Sequence, residues 1–495
     1  GYVLQSSKRA RQLALNNERL RPDYEKLLGL YQRLAAAYAL PVAQQAGVDS
    51  LHGAIRDLEK SLRRRSADLA MAWEQPDWQA VCTALQDHEL AIEFVHYQQH
   101  TPWPTDTTIY GALVLLPGIA APHYVPLCTE AALRSVLQTE EGSAISPTEL
   151  YAPTGRGAQL YELLWKPLAT ALAALADSPR TVYYANSGLL HRVQWAAIPS
   201  PDGQVLGANW QLHQLSSTRQ LVDSPKADKQ HTPATALLYG GIDYQLDTTS
   251  SLASLDANAS LLVLTDGAQL RGFLELTGWS PLPWTEVEVS LASDALQASG
   301  YTTEIQLGKQ ATEQWLKQRL DPQQVQPGPA ILHLATHAYF TPEAQSDGEN
   351  SFVRSRNPLI RSGLILAGAN YAWRSGHPWQ AGQEDGILTA YELSQLDLSD
   401  TELVILSACE TGLGRITDYE GVFGLQRACK IAGARYLIMS LWQIPDFQTQ
   451  AFLSAFYQFY LQDKLSVPAA FQAAQSLMRQ QFGQVSDWAG LILVE

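Results

Sequence analysis

Short runs built only from apolar residues, alternating with segments of helical spacing, constrain this chain more than any other feature. Leu403-Val404-Ile405-Leu406 is one such run. ALLYGGI, AILHLAT and RYLIMSLW are others, and segments such as ATEQWLKQRL and LTAYELSQL separate them with helical patterns. A strand with no polar face belongs in the middle of a parallel sheet covered on both sides. Repeated strand–helix–strand order requires right-handed crossovers. The pattern therefore predicts an α/β fold, a mainly parallel sheet flanked by helices. Apolar residues at 46% of 495 positions are enough to fill such a core.

The ends of two strands carry the chemistry. In open α/β sheets, ligands bind beyond the carboxyl ends of the strands. Leu403–Leu406 runs through Ser407 and Ala408 to Cys409, and then to Gly412 and Gly414, which let the backbone turn. A cysteine there is placed to act as a nucleophile, but its thiol needs a base or a positive neighbour. The strand ILHLAT supplies one. Ile331, His333 and Ala335 share a face, so His333 lies within the strand and His337 at its mouth. If the two strands are neighbours, His337 can take the thiol proton and later protonate a leaving amine.

These residues resemble those of the CHAT family. The matching stretches are THA, LVILSACETGLG, EGVFGLQRACKIAGARYLIMSLW and the closing WAGLILVE, and the resemblance runs over residues 89 to 495. CHAT domains are similar to caspases and separase, and often stand beside tetratricopeptide repeats. The resemblance implies a caspase-like peptidase with His337 as base and Cys409 as nucleophile. It also implies that the backbone N–H groups of Ala338 and Cys409 hold the oxyanion. The family usually has glycine where this chain has Ala338. A similar Trp and Asp pair in separase implies that Asp446, four residues after Trp442, receives a basic side chain next to the scissile bond. Asp446 also stands where a helix N-cap belongs. The resemblance further implies a role in bacterial defence or programmed cell death through cleavage of one specific protein.

Three regions follow in order. Residues 1–88 read as a helical region. Leu20, Tyr24, Leu27, Tyr31, Leu34 and Tyr38 form one stripe, Pro41 ends it, and Leu51, Ile55, Leu58 and Leu62 form a second after a cap at Asp49 or Ser50. This is an antiparallel hairpin, read as the end of a repeat array that binds a regulatory protein partner. Arg63-Arg64-Arg65 reads as a solvated face. Residues 89–225 hold strands at ELAIEFVHY, IYGALVLLPG and HYVPLC, a helix over 160–175 and strands at TVYYANSGLLHRVQWAAI and WQLHQLSSTR. By resemblance this is a pseudo-caspase half without a thiol, in which His191 is structural. Residues 226–495 form the peptidase domain. There Thr285 and Glu288 have the spacing of a capping box, GLILAG reads as a further strand, and Gly433 ends the helix over 420–432. Residues 341–361 and 368–386 are long for loops and read as framing the cleft.

The remaining readings are exclusions. A net charge of −15 argues against direct nucleic-acid binding. Four cysteines are too few for a disulfide scaffold and point to a reducing, cytoplasmic setting, and Cys429 reads as core. No apolar run is long enough for a membrane span, and no signal peptide opens the chain. Gly412-x-Gly414 lacks the third glycine of a dinucleotide fingerprint, because position 417 is Thr417. No metal-ligand spacing or phosphate loop occurs, so no cofactor is expected. Glu410, Asp385 and Glu392 are given no chemistry. The leading reading is a cysteine endopeptidase acting on a protein substrate. The alternatives are an inactive pseudo-peptidase that works as a scaffold, and a thiol acyl transferase.

Overall fold

The computed structural model describes residues 14, 17–39, 47–65, 76–100, 103–139, 145–175, 181–223, 235–245, 278–322, 326–340, 359–375, 378–380, 382–407 and 420–495. In chain order the elements used below are α1 (Arg21–Ala39), α2 (Val48–Arg65), β1 (Glu89–His100), β2 (Pro104–Leu115), β3 (His123–Thr129), β4 (Thr181–Ala185), β5 (Gln211–Leu215) and β6 (Thr235–Ile242). Then come α3 (Trp284–Ala298), β7 (Thr302–Gly308), α4 (Glu313–Arg319), β8 (Ile331–Ala335), β9 (Ala338–Phe340), β10 (Ser362–Ile365) and α5 (Ala369–Ser375). The chain continues with β11 (Ile387–Thr389), α6 (Ala390–Leu393), β12 (Leu403–Ser407), α7 (Glu420–Ala432), β13 (Tyr436–Ser440), α8 (Asp446–Tyr457), α9 (Val467–Gln481) and β14 (Leu491–Val494).

Two compact units divide these elements. The first takes residues 73–232 together with 444–495, and the second takes 8–72 with 233–443. In the first, β3, β2 and β1 form an antiparallel meander, and β1, β4, β5 and β14 continue the sheet in parallel. The strand expected over 181–198 stops at Ala185. Two short 3₁₀ turns follow, Gly188–Arg192 and Trp195–Ala197, which bury His191 and Trp195.

The second unit carries the parallel sheet that the apolar runs predict, in the order β13-β12-β8-β6-β7. Every residue of β8 and β13 is buried, as a central strand covered on both faces requires. GLILAG does not join this sheet. Its strand, β10, pairs antiparallel with β9 and β11 in a separate three-stranded sheet. The expected loop over 368–386 holds a helix, α5. α7 ends at Gly433 as the sequence indicates, with φ at +114° and its N–H on the Cys429 carbonyl.

The N-terminal hairpin belongs to this second unit. α1 and α2 are antiparallel, because Tyr31 Oη donates to Glu59 Oε1 at 2.6 Å while Asp23 pairs with Arg65. Leu20, Leu27, Leu34, Ile55 and Leu62 are buried, so the two stripes do face a core. Arg64 and Arg65 are exposed, as the solvated-face reading expects, and Arg65 bonds Asp23 and the Arg19 carbonyl at that surface. Tyr391 Oη of α6 donates to the Tyr31 carbonyl at 3.4 Å. Residues 224–234 and 341–358 lie outside the described residues.

Candidate active site

Strand register builds the site. β8 and β12 run side by side in parallel, with Ala335 level with Ser407. Thr336 N–H donates to the Ser407 carbonyl at 3.3 Å, which extends the pairing one residue past the strand. The Thr336 hydroxyl bonds the Ile365 carbonyl and lies 3.1 Å from Tyr244 Oη. Ile365 N–H donates to the His337 carbonyl at 2.9 Å. The backbone that carries His337 is thus held from both β12 and β10. His337 follows Ala335 by two residues, as Cys409 follows Ser407 by two; Cys409 itself lies outside the described residues, as does Glu410.

The His337 ring is 6% exposed and lies between two aromatic rings, with centroids 5.2 Å from Tyr244 and 5.2 Å from Trp279. Its Nε2 is 2.8 Å from the Ser280 carbonyl oxygen. A carbonyl only accepts, so Nε2 carries the proton and Nδ1 holds the lone pair of the neutral ring. Burial pushes the His337 pKa below its ordinary value, and the Ser280 carbonyl opposes this less strongly. The ring is therefore neutral near pH 7, with one nitrogen free to accept a proton. Sequence reasoning missed Tyr244, Trp279 and Ser280. A carbonyl acceptor can come from any residue type, so Ser280 leaves no signal in the sequence.

A second buried contact lies under the same strands. Glu288 accepts at Oε2 from Ser407 Oγ at 3.0 Å, and its Oε1 is 2.7 Å from His333 Nε2. His333 is fully buried within β8. This overturns the capping-box expectation for Thr285 and Glu288. α3 begins a residue earlier, at Trp284, and Thr285 Oγ1 instead donates to Leu282 and accepts from Gly241 N–H at 2.9 Å. Long-range partners outcompete the local cap.

Ala338 opens β9 and is buried, with negative φ, so alanine sits there without left-handed strain. Trp442 is half-buried two residues past β13, in the second unit. Asp446 is exposed in the first unit, as the first residue of α8; the N-cap is Pro445, not Asp446. Cys429 is buried within α7, and burial raises its thiol pKa to about 12, which suits a core residue. Among the described residues one trio has metal-ligand geometry, Glu313, Glu384 and Glu392. Lys317 Nζ lies 2.6, 2.9 and 2.8 Å from those carboxylates, so an ammonium already supplies the positive charge. No helix among the described residues is long and apolar enough to cross a membrane.

Fold and sequence together define an α/β protein whose second unit is a parallel sheet flanked by helices. The CHAT domain profile matches residues 154–495, and the chain belongs to that family. Among curated relatives, tetratricopeptide repeat protein 28 of Mus musculus is 26% identical over 361 residues, and its Homo sapiens counterpart 24% over 348. Each alignment takes in 68% of this chain but 13% of the relative, so the chain spans about an eighth of those proteins' length. Among solved structures, the Arg-specific cysteine proteinase gingipain R aligns with a TM-score of 0.34 and 11% identity, over 71% of this chain and 68% of that one. The Saccharomyces cerevisiae separase–securin complex aligns with a TM-score of 0.40 and 8% identity, over 96% and 40%.

Proposed function

We propose that this protein is a cysteine endopeptidase in which Cys409 is the nucleophile and His337 the base. The observation that carries the reading is the His337 ring. It is neutral, its proton is committed to the Ser280 carbonyl through Nε2, and it stands at the carboxyl end of β8, next to the strand that leads to Cys409. In this reading His337 Nδ1 takes the Cys409 proton as sulfur attacks the peptide carbonyl. The tetrahedral oxyanion rests on the backbone N–H groups of Ala338 and Cys409. Collapse breaks the C–N bond, and the imidazolium returns its proton to the leaving amine. Water then attacks the thioester with His337 again as base, which regenerates the thiol. Trp442 and Asp446 contribute to substrate recognition, Asp446 favouring a basic side chain. The N-terminal hairpin receives a protein partner that governs activity, in a cytoplasmic setting linked to defence or cell death.

The test is labelling by a peptide acyloxymethyl ketone with a basic terminal residue, with and without candidate partners. Wild type should be labelled at Cys409. Cys409→Ala should show none, and His337→Ala should slow labelling by about 10²–10⁴-fold. If intact wild-type protein stays unlabelled in every partner condition, the scaffold reading replaces this one.

A further inference from the structure

Asn370 is the second residue of α5 and is fully buried. Its carboxamide clasps one residue from both sides. Trp279 N–H donates to Asn370 Oδ1 at 2.5 Å, and Asn370 Nδ2 donates to the Trp279 carbonyl at 2.8 Å. Asn370 N–H in turn donates to the Tyr244 carbonyl at 3.1 Å. These are the two residues whose rings flank His337, and Trp279 is followed directly by Ser280, whose carbonyl holds Nε2. The clasp also dictates its neighbour. Gly278 has φ of +73°, and a Cβ there would stand 2.4 Å from Asn370 Oδ1, so position 278 has neither the conformation nor the room for a side chain. α5 is itself anchored to the same chain segment, with Arg374 bonding both the Asn370 carbonyl and Gln245 Oε1.

We infer that Asn370 is a positioning residue, which fixes the ring plane and the protonated nitrogen of His337 by holding the Trp279–Ser280 peptide and the Tyr244 backbone in place. An amide side chain suits this role where other residues do not. One backbone unit presents a donor and an acceptor to it, and a carboxamide answers both without charge, from two separate atoms of one planar group. Aspartate would accept from Trp279 N–H but set a carboxylate against the Trp279 carbonyl. A serine hydroxyl can donate and accept, but its single oxygen on a shorter side chain cannot span the Trp279 N–H and carbonyl as the carboxamide does. Loss of the clasp lets Ser280 drift, and with it the acceptor that commits the Nε2 proton. A displacement of that kind, remote from the reacting atoms, can cost about 100-fold in rate.

The inference deepens the peptidase reading for its kinetic consequence, but its structural content is measurable without substrate. In full-length protein with ¹⁵N-labelled histidine, the His337 Nε2 proton should be a slowly exchanging ring N–H resonance at neutral pH, absent in His337→Gln. Asn370→Ser and Asn370→Asp should speed its exchange with water by about tenfold or more, the value of one net hydrogen bond. Circular dichroism and a melting curve on each variant identify those that fold, and the milder serine variant keeps the test available if aspartate does not. Where wild type labels at Cys409, the folded variants should label about 10–100-fold more slowly. The His337 ring proton unchanged in folded variants would overturn the inference even with the peptidase intact. Loss of that proton in variants, with no labelling of wild type, would uphold the positioning role and remove the peptidase reading instead.

Discussion

Burial sets the protonation of individual side chains here, and His191 shows how strongly. It lies buried in the first 3₁₀ turn after β4, and burial, reinforced by nearby His96, lowers its pKa to about 4. An unfolded chain would titrate the same ring near 6.5. Between those values the unfolded state binds a proton that the folded state refuses, so stability falls as pH drops through about 6.5 and stops falling below about 4. At pH 4.5 the penalty amounts to about 2–3 kcal/mol. Denaturant unfolding should therefore show His191→Gln losing less stability than wild type between pH 7 and pH 4.5. Equal losses would mean that His191 is protonated in the folded state. The sequence reads His191 as structural because no thiol partner is evident for it. Its burial was not legible, because the expected strand continued through the turn that encloses it.

Elements are joined in the second unit by one lysine. Lys317 of α4 reaches Glu313 on its own helix, Glu392 of α6 and the more exposed Glu384. Glu313 is almost fully buried and accepts from Gly386 N–H at 2.8 Å; burial raises its pKa well above the carboxylate range despite Lys317. Asp385 is pushed up to about 6 by burial and by Glu392. Lys317→Met keeps most of the stem but strands buried negative charge, at a cost of about 3–5 kcal/mol near pH 8. Carboxyls with raised folded pKa take up protons in the folded state first, so the deficit should shrink as pH falls from 8 to 5. Paired melts of wild type and variant across that range check it; a constant gap would show that the carboxylates stay ionised. Strand identity was legible at this scale because buried parallel strands leave unbroken apolar runs. Strand partnership was less so: GLILAG reads the same in either sheet, and only tertiary pairing sends β10 to β9 and β11. Glu288 failed for a similar reason. Its spacing from Thr285 matches a local motif, but His333 and Ser407 offer a buried carboxylate more than a helix terminus does.

The whole molecule is divided in a way that runs of sequence do not announce, since residues 444–495 cluster with the first unit. The chain leaves that unit near residue 232, within the polar stretch DSPKADKQHTPAT over 223–235 that reads as a linker, and returns more than two hundred residues later without such a mark. What joins the distant pieces is specific. Gln194 is 4% exposed, and its Nε2 donates to the carbonyls of Ala489 at 2.8 Å and Leu491 at 3.1 Å. β14 then pairs in parallel with β5, Glu495 N–H reaches the Gln214 carbonyl at 2.8 Å, and Glu495 Oε1 meets His213 Nδ1. Gln194→Ala would remove the buried donor shared by the Ala489 and Leu491 carbonyls, a loss of about 1–3 kcal/mol. Because β14 borders β5, the loss should spread beyond the chain end. Hydrogen exchange should quicken together at residues 211–215 and 491–495, by about tenfold or more. Faster exchange confined to 491–495 would show that the returning segment lies against a sheet already complete without it. Joint exchange would show that β5 and β14 open as one cooperative unit.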